Sequence, residues 1–77
     1  MNIDELTDAK TRLQEEMQAE YQDRVTYEVT HSEGPAHDRV FYVDVIFNGV
    51  VLASGKGKSK KEAEEDAARK ALNKRRT

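Results

Sequence analysis

Four lysines within six residues, Lys56, Lys58, Lys60 and Lys61, stand directly before an alanine-lined segment that carries Ala63, Ala67, Ala68, Ala71 and Leu72. Ser59 and Glu62 have the S-x-x-E spacing of a capping box, which marks a helix N-terminus. Such a terminus already carries positive partial charge on its unpaired N–H groups. Lysines added there oppose folding, because like charges meet. The arrangement makes sense when an anion is to be held, and phosphate is the usual one. A lysine run elsewhere would more often be a solvated face. Here Lys58, Lys60 and Lys61 bracket the capping serine, and Ser59 itself is a cap before it is a ligand.

A nucleotide site is the tempting version of that chemistry. Gly57-Lys58-Ser59 matches the end of G-x-x-x-x-G-K-[ST]. The first glycine of that motif would fall at position 52, which is Leu52, so the loop that cradles the phosphates is missing. Catalysis finds little support. Glu62, Glu64, Glu65 and Asp66 are crowded carboxylates that read as a balance to the lysines on an exposed helix. His31 and His37 flank a loop. There is no H-E-x-x-H, no Ser/His/Asp arrangement and no metal-ligand spacing. The chemistry in view is binding, with no catalytic residue and no cofactor in this chain.

Two further groups could join the lysines. Ala9, Leu13, Met17 and Tyr21 recur every fourth residue and form one helical stripe, with Thr7 or Asp8 as N-cap. Thr11, Gln14, Glu15 and Gln18 gather on the opposite side. Two amides and a hydroxyl donate and accept, while a carboxylate only accepts. That mixture suits sugar hydroxyls and base edges better than phosphate. The other group is the loop Gly34-Pro35-Ala36-His37, short and stiffened by its proline.

The elements that must position these groups follow from periodicity. Val25–Thr30 alternates as a half-buried strand, with Val25, Tyr27 and Val29 on one side. Residues 32–38 are a loop. Phe41, Val43, Val45 and Phe47 alternate in a second strand. Asn48-Gly49 is a hairpin turn signal, and Val50–Ser54 is the return strand. The order helix, strand, strand, strand, helix predicts an α+β domain. Its three-stranded antiparallel sheet has both helices packed on one face, and alanines along the second helix allow a close approach. Residues 1–7 read as a tail or linker end, 8–74 as the domain and 75–77 as a basic tail.

With 77 residues, one domain is expected. Net charge is −2, which argues against a generally basic polyanion binder. Residues 1–38 hold 3 basic and 10 acidic side chains, whereas residues 39–77 hold 10 basic and 5 acidic. A basic patch on an acidic body points to a directed contact. There is no cysteine, which fits a reducing cytoplasm. No apolar run approaches the ~20 residues of a membrane span, and no secretory signal pattern appears at the start.

In this order and spacing, Gly34-Pro35-x-His37, Phe41-x-Val43-x-Val45, Gly55-x-Gly57-x-Ser59-Lys60-Lys61-x-Ala63 and Ala67-Ala68-x-x-Ala71-Leu72 resemble a double-stranded-RNA-binding domain. The resemblance covers about Asp8 to Asn73. Asp8-x-Lys10-Thr11-x-Leu13-Gln14-Glu15 and Ser59-Lys60-Lys61-Glu62-Ala63-Glu64 look most like the C-terminal domain of bacterial ribonuclease III. One departure is Ala53, where the family often has glycine. The resemblance implies an α-β-β-β-α fold and shape recognition of duplex RNA. Thr11, Gln14, Glu15 and Gln18 would enter one minor groove, and Gly34, Pro35, Ala36 and His37 the next. Lys58, Lys60 and Lys61 would span the major-groove phosphates between them. It also implies a parent whose nuclease domain uses magnesium, dimerises and processes RNA, this chain being a monomeric fragment without that domain. Neither a membrane nor a small-molecule substrate is implied. The same fold in a helicase, kinase or adapter is the alternative parent. A domain repurposed for protein contacts, through Tyr42 and Ile46 on the open sheet face, is the other alternative.

Overall fold

The computed structural model describes the backbone of residues 5–76 and the side chains of residues 9–76. Helix α1 spans Glu5–Tyr21, strand β1 Thr26–Glu33, strand β2 Val40–Phe47, strand β3 Val50–Gly57 and helix α2 Lys60–Arg75. A single 3₁₀ turn, Ala36–Asp38, lies between β1 and β2. The sheet is antiparallel throughout, in the order β1-β2-β3. The α+β order expected from the sequence is the observed one.

The helical stripe of α1 becomes the core. Ala9, Leu13 and Met17 are buried with Val25, Val45, Ala53, Ala67, Ala68, Ala71 and Leu72. Tyr27, Phe47 and Leu52 pack on this cluster from its margin. α1 ends where Gln22 turns into the left-handed region at φ 56°, its N–H bonded to the Gln18 carbonyl at 2.9 Å. Asn48 and Gly49 both have positive φ, 52° and 80°. That is the backbone of a two-residue primed turn, which matches the twist of the strands it joins.

Two bulges decide which side chains meet the helices. The hairpin turn pairs Phe47 with Val50, but further on Val45 pairs with Ala53, so Leu52 is an extra residue. Without it, Leu52, Ser54 and Lys56 would point at the helices. With it, Ala53, Gly55 and Gly57 do so, opposite Val45, Val43 and Phe41. In β1 the register shifts between Val29 and His31, leaving Thr30 unpaired. His31 and Glu33 are thereby turned to the open face of the sheet, His31 opposite Tyr42.

The small residues of β3 let α2 settle on the strand. A Cβ on Gly57 would come within 2.6 Å of the Glu62 Cβ and 2.8 Å of the Ala63 nitrogen. The two helices run side by side in the same sense, because their polar contacts match end to end. Lys10 Nζ meets Glu64 Oε1 at 2.5 Å, and the Ala9 N–H donates to the buried Glu65 carboxylate at 2.6 Å. At the other end, Arg75 bonds both Glu16 and Glu20, and Arg76 donates to Glu16 at 2.9 Å.

Several boundaries differ from the sequence expectation. Thr7 and Asp8 lie inside α1 and do not cap it, since nothing between Glu5 and Asp8 breaks a helix. Residues 1–4 of the expected tail lie outside the described residues, as does Thr77. Arg75 is not tail but the last residue of α2, and Arg76 caps that helix; both are held by the glutamates of α1. β1 continues to Glu33 and β3 to Gly57, so the β1–β2 loop is shorter than expected and His31 sits in a strand. The carboxylates of α2 are not a loose balance to the lysines. Glu65 is buried, Glu64 pairs with Lys10, and Asp66 accepts from the edge-strand N–H of Lys56 at 2.9 Å.

Candidate nucleic-acid interface

The N-terminus of α2 is built as its sequence suggests. Ser59 is extended at φ −142°, ψ 163°, and its hydroxyl accepts from the Glu62 N–H at 3.1 Å. Glu62 reaches back to the Lys58 N–H at 3.0 Å. The first satisfies a donor that a helix start leaves open, and the second ties the residue before the cap to the first turn. Lys60 and Lys61 occupy the first turn, exposed, with no ion-pair partner among the described residues. The helix dipole and two adjacent ammonium groups therefore add up at one place.

The four-lysine cluster divides by strand alternation. Lys56 follows Gly55 and precedes Gly57, which both face the helices, so its side chain projects to the open face, where Tyr42 is its cross-strand neighbour. It lines a shallow groove of about 310 Å³ with Val40, Tyr42 and Lys58. Tyr42 is engaged on that face: its hydroxyl donates to Glu33 at 2.9 Å and its ring lies 5.3 Å from that of His31. The Glu33 hydrogen bond holds the phenol above its ordinary range.

Lys58 has a partner that the sequence reading did not assign. Its ammonium lies 2.5 Å from the carboxylate of Asp38, on the loop between β1 and β2. The hydrogen bond and charge of each hold Lys58 above and Asp38 below their ordinary pKa values. The two positions are 20 residues apart. They meet because Phe41 pairs with Gly57, which brings the start of β2 to the end of β3. Counting back from Asn48-Gly49 brings them to the same end of the hairpin, and that count was the available signal.

The loop itself is closed by its own bonds. Gly34 adopts φ 98°, and a Cβ there would lie 2.6 Å from the Asp38 carbonyl oxygen. The Asp38 N–H donates to the Pro35 carbonyl at 2.9 Å. Arg39 donates from Nη1 to the Gly34 carbonyl at 2.6 Å and from Nε to the Ser32 hydroxyl at 3.2 Å. Gly34, Pro35, Ala36 and His37 are all exposed at its tip.

On α1, Thr11, Glu15 and Gln18 are exposed on the side away from the core. Gln14 differs. Its carbonyl accepts from the Val25 N–H at 3.2 Å and its amide nitrogen donates to the Asp23 carbonyl at 3.4 Å. It ties α1 to the start of β1, with both ends of the amide engaged. The reason is position: Gln14 borders the buried stripe, so its amide reaches the connection that crosses under it. A groove of about 340 Å³ runs beside it, lined by Lys10, Thr11, Gln14, Glu15, Val25 and Tyr27.

The start of α2 links these pieces. Lys10 of α1 touches Glu64 of α2, one turn from Lys60 and Lys61, and Asp38 of the loop touches Lys58. The lysine-bearing turn thus stands between the α1 face and the loop, with Gln14 tied to the start of β1 and the loop following its far end. Among the described residues, no group of three or more His, Asp or Glu side chains gathers in a way that would hold a metal ion.

Comparison with known proteins agrees with this fold. Residues 9–75 match the family described as the double-stranded RNA binding motif. Ribonuclease 3 of Carboxydothermus hydrogenoformans is 49% identical over 92% of this chain and 31% of its own length. Ribonuclease 3 of Enterococcus faecalis is 49% identical over 84% of this chain and 28% of its own. The chain therefore spans less than a third of these relatives. Among solved structures, Arabidopsis HYL1, a protein studied for its role in miRNA processing, superposes with TM-score 0.76 at 36% identity, covering 90% of this chain and 97% of that one. Dicer from Pichia stipitis superposes with TM-score 0.72 at 27% identity, covering 95% of this chain and 34% of that one.

Proposed function

The chain belongs to the double-stranded RNA binding motif family, and from that premise we propose that it is the RNA-holding segment of a ribonuclease III-type enzyme, reading duplex RNA by shape. Thr11, Glu15 and Gln18 meet one minor groove, with Gln14 placing the helix that carries them. Gly34, Pro35, Ala36 and His37 meet the next minor groove. Lys60 and Lys61, with Lys58, lie along the phosphates of the major groove between. An A-form helix shows 2′-hydroxyls and base edges in a wide, shallow minor groove, and such domains span ~16 base pairs. The observation that carries the reading is the lysine-bearing turn at the start of α2, joined to α1 through Lys10–Glu64 and to the loop through Lys58–Asp38.

The likeness to Ribonuclease 3 over nearly the whole of this chain supports the choice of parent. Cleavage of the RNA, the magnesium it uses and the dimer that performs it belong on this reading to the remaining two thirds of such a parent. This segment supplies affinity and contributes no catalytic residue and no metal ligand. A cytoplasmic place, a monomeric isolated segment and RNA processing as the setting complete the proposal.

The test is binding to matched duplexes. At moderate salt the chain should hold double-stranded RNA at least about tenfold more tightly than DNA of the same sequence, because B-form grooves do not match the spacing. Equal affinity for the two would sink the reading. Incubation with magnesium should leave the RNA intact, and cleavage that follows the purified chain would overturn its non-catalytic part.

A further inference from the structure

We infer that Asp38 is a positioning residue for duplex selectivity, its carboxylate locking the Gly34–His37 loop at a fixed separation from Lys60 and Lys61. The inference rests on the functional reading above and adds a residue that does not itself face RNA.

The argument starts with the loop. Arg39 binds its Gly34 carbonyl, the Asp38 N–H binds the Pro35 carbonyl, and Gly34 leaves no room for a side chain against the Asp38 carbonyl. These bonds make residues 34–38 one rigid piece. Where it stands relative to α2 is set first by the pairing of Phe41 with Gly57. The exposed Asp38–Lys58 bridge adds a side-chain contact from the loop to the residue just before the cap of α2. Lys58 is fixed in turn, because its N–H is bound by Glu62 inside the capping box of α2. A continuous path therefore runs from His37 through Asp38, Lys58 and Glu62 to the turn that bears Lys60 and Lys61.

A carboxylate beside a phosphate-binding surface is otherwise hard to explain. Its charge repels the phosphate backbone and offsets one lysine, which lowers affinity for any polyanion. What it supplies is a set distance. Phosphate contacts fix register and orientation on a duplex. A loop held at one distance from the lysines matches one groove-to-phosphate spacing. A loop released from α2 adapts to the grooves of either A-form or B-form helices. Charge alone would change binding to RNA and DNA together, whereas spacing changes their ratio.

The experiment measures affinity of the whole chain for RNA and DNA duplexes of the same sequence at one salt concentration. It uses the unsubstituted protein, D38N, D38E, K58D and the exchanged pair D38K/K58D, each first shown to melt cooperatively. D38N should lose about fivefold or more of the preference for RNA, because DNA binding rises with the lost negative charge while RNA binding does not keep step. D38E should recover most of the preference. The exchanged pair keeps the bridge and the net charge, and should stay closer to the parent ratio than K58D alone. If D38N raises both affinities by the same factor, Asp38 acts only as a screening charge and the inference falls while the functional reading stands. If the unsubstituted chain shows no preference for RNA, both fall together.

Discussion

The Cβ that Gly55 lacks would lie 2.2 Å from the backbone nitrogen of Ala67 and 2.7 Å from the Ala63 carbonyl oxygen. The neighbours here are the main chain of α2 and cannot rotate aside. Strand β3 therefore sets how closely α2 lies on the sheet, and with it the place of the lysine-bearing turn. Replacing Gly55 with alanine should cost about 3 kcal/mol, the upper end for adding a methyl to a filled core. For a domain of this size that lowers the melting temperature by roughly 12–24 °C. Thermal unfolding followed by circular dichroism checks it. A shift of only a degree or two would mean that α2 can slide away at little cost.

Gln14 was expected among the RNA contacts, and its amide is spent on Val25 and Asp23 instead. Truncating it leaves the half-buried Val25 N–H without its acceptor, a loss of about 1–2 kcal/mol. Gln18 makes no such side-chain bond among the described residues and is exposed. Q14A should therefore lower the melting temperature clearly, and Q18A should leave it within about 0.5 kcal/mol of unchanged stability. Comparable melting of the two variants would show that Gln14 is not the tie.

The sequence shows why some of this was legible and some was not. The order of elements followed from periods of two and four, from Asn48-Gly49 and from the Ser59/Glu62 box, all local signals. The bulges at Thr30 and Leu52 leave no such mark, because alternation continues through them on paper. They nevertheless decide that Gly55 and not Lys56 meets α2. The bonds from Arg75 to Glu16 and Glu20 join residues far apart in the chain, so the two arginines at the terminus read as a tail. Asp38 and Lys58 are likewise joined only once the hairpin register is known.

Tyr27 gives a pH-dependent prediction. Its hydroxyl is buried without a hydrogen-bond partner among the described residues. Burial first, then the charges of Glu64 and Glu65, push its pKa up to about 12 from the ordinary 10.0. A group whose pKa is raised on folding keeps its proton longest in the folded state. Its contribution to stability is complete below pH 10 and is lost as pH rises towards 12. Y27F should therefore reduce the loss of stability over that window, and at neutral pH should be as stable as the parent or more so, since no hydrogen bond is removed. Denaturant melts of both proteins at neutral and alkaline pH decide it. An equal alkaline loss in Y27F would assign the titration to another group.

Lys60 and Lys61 allow the electrostatic part of the reading to be tested apart from shape. Both are exposed, both stand in the first turn of α2, and neither is paired among the described residues, unlike Lys58. Each ammonium that meets a phosphate releases a counterion, and removing one should reduce the slope of log K against log salt by about 1. The double variant K60A/K61A should therefore bind duplex RNA more weakly and lose about 2 units of slope. Folding should not suffer, because two positive charges leave the positive end of a helix. K58A frees Asp38 at the same time, so its slope falls while the unpaired carboxylate adds repulsion of its own. The comparison is made by titrating RNA at several salt concentrations. An unchanged slope in K60A/K61A would mean that these lysines do not touch phosphate, and the anion site at the start of α2 would then need another ligand.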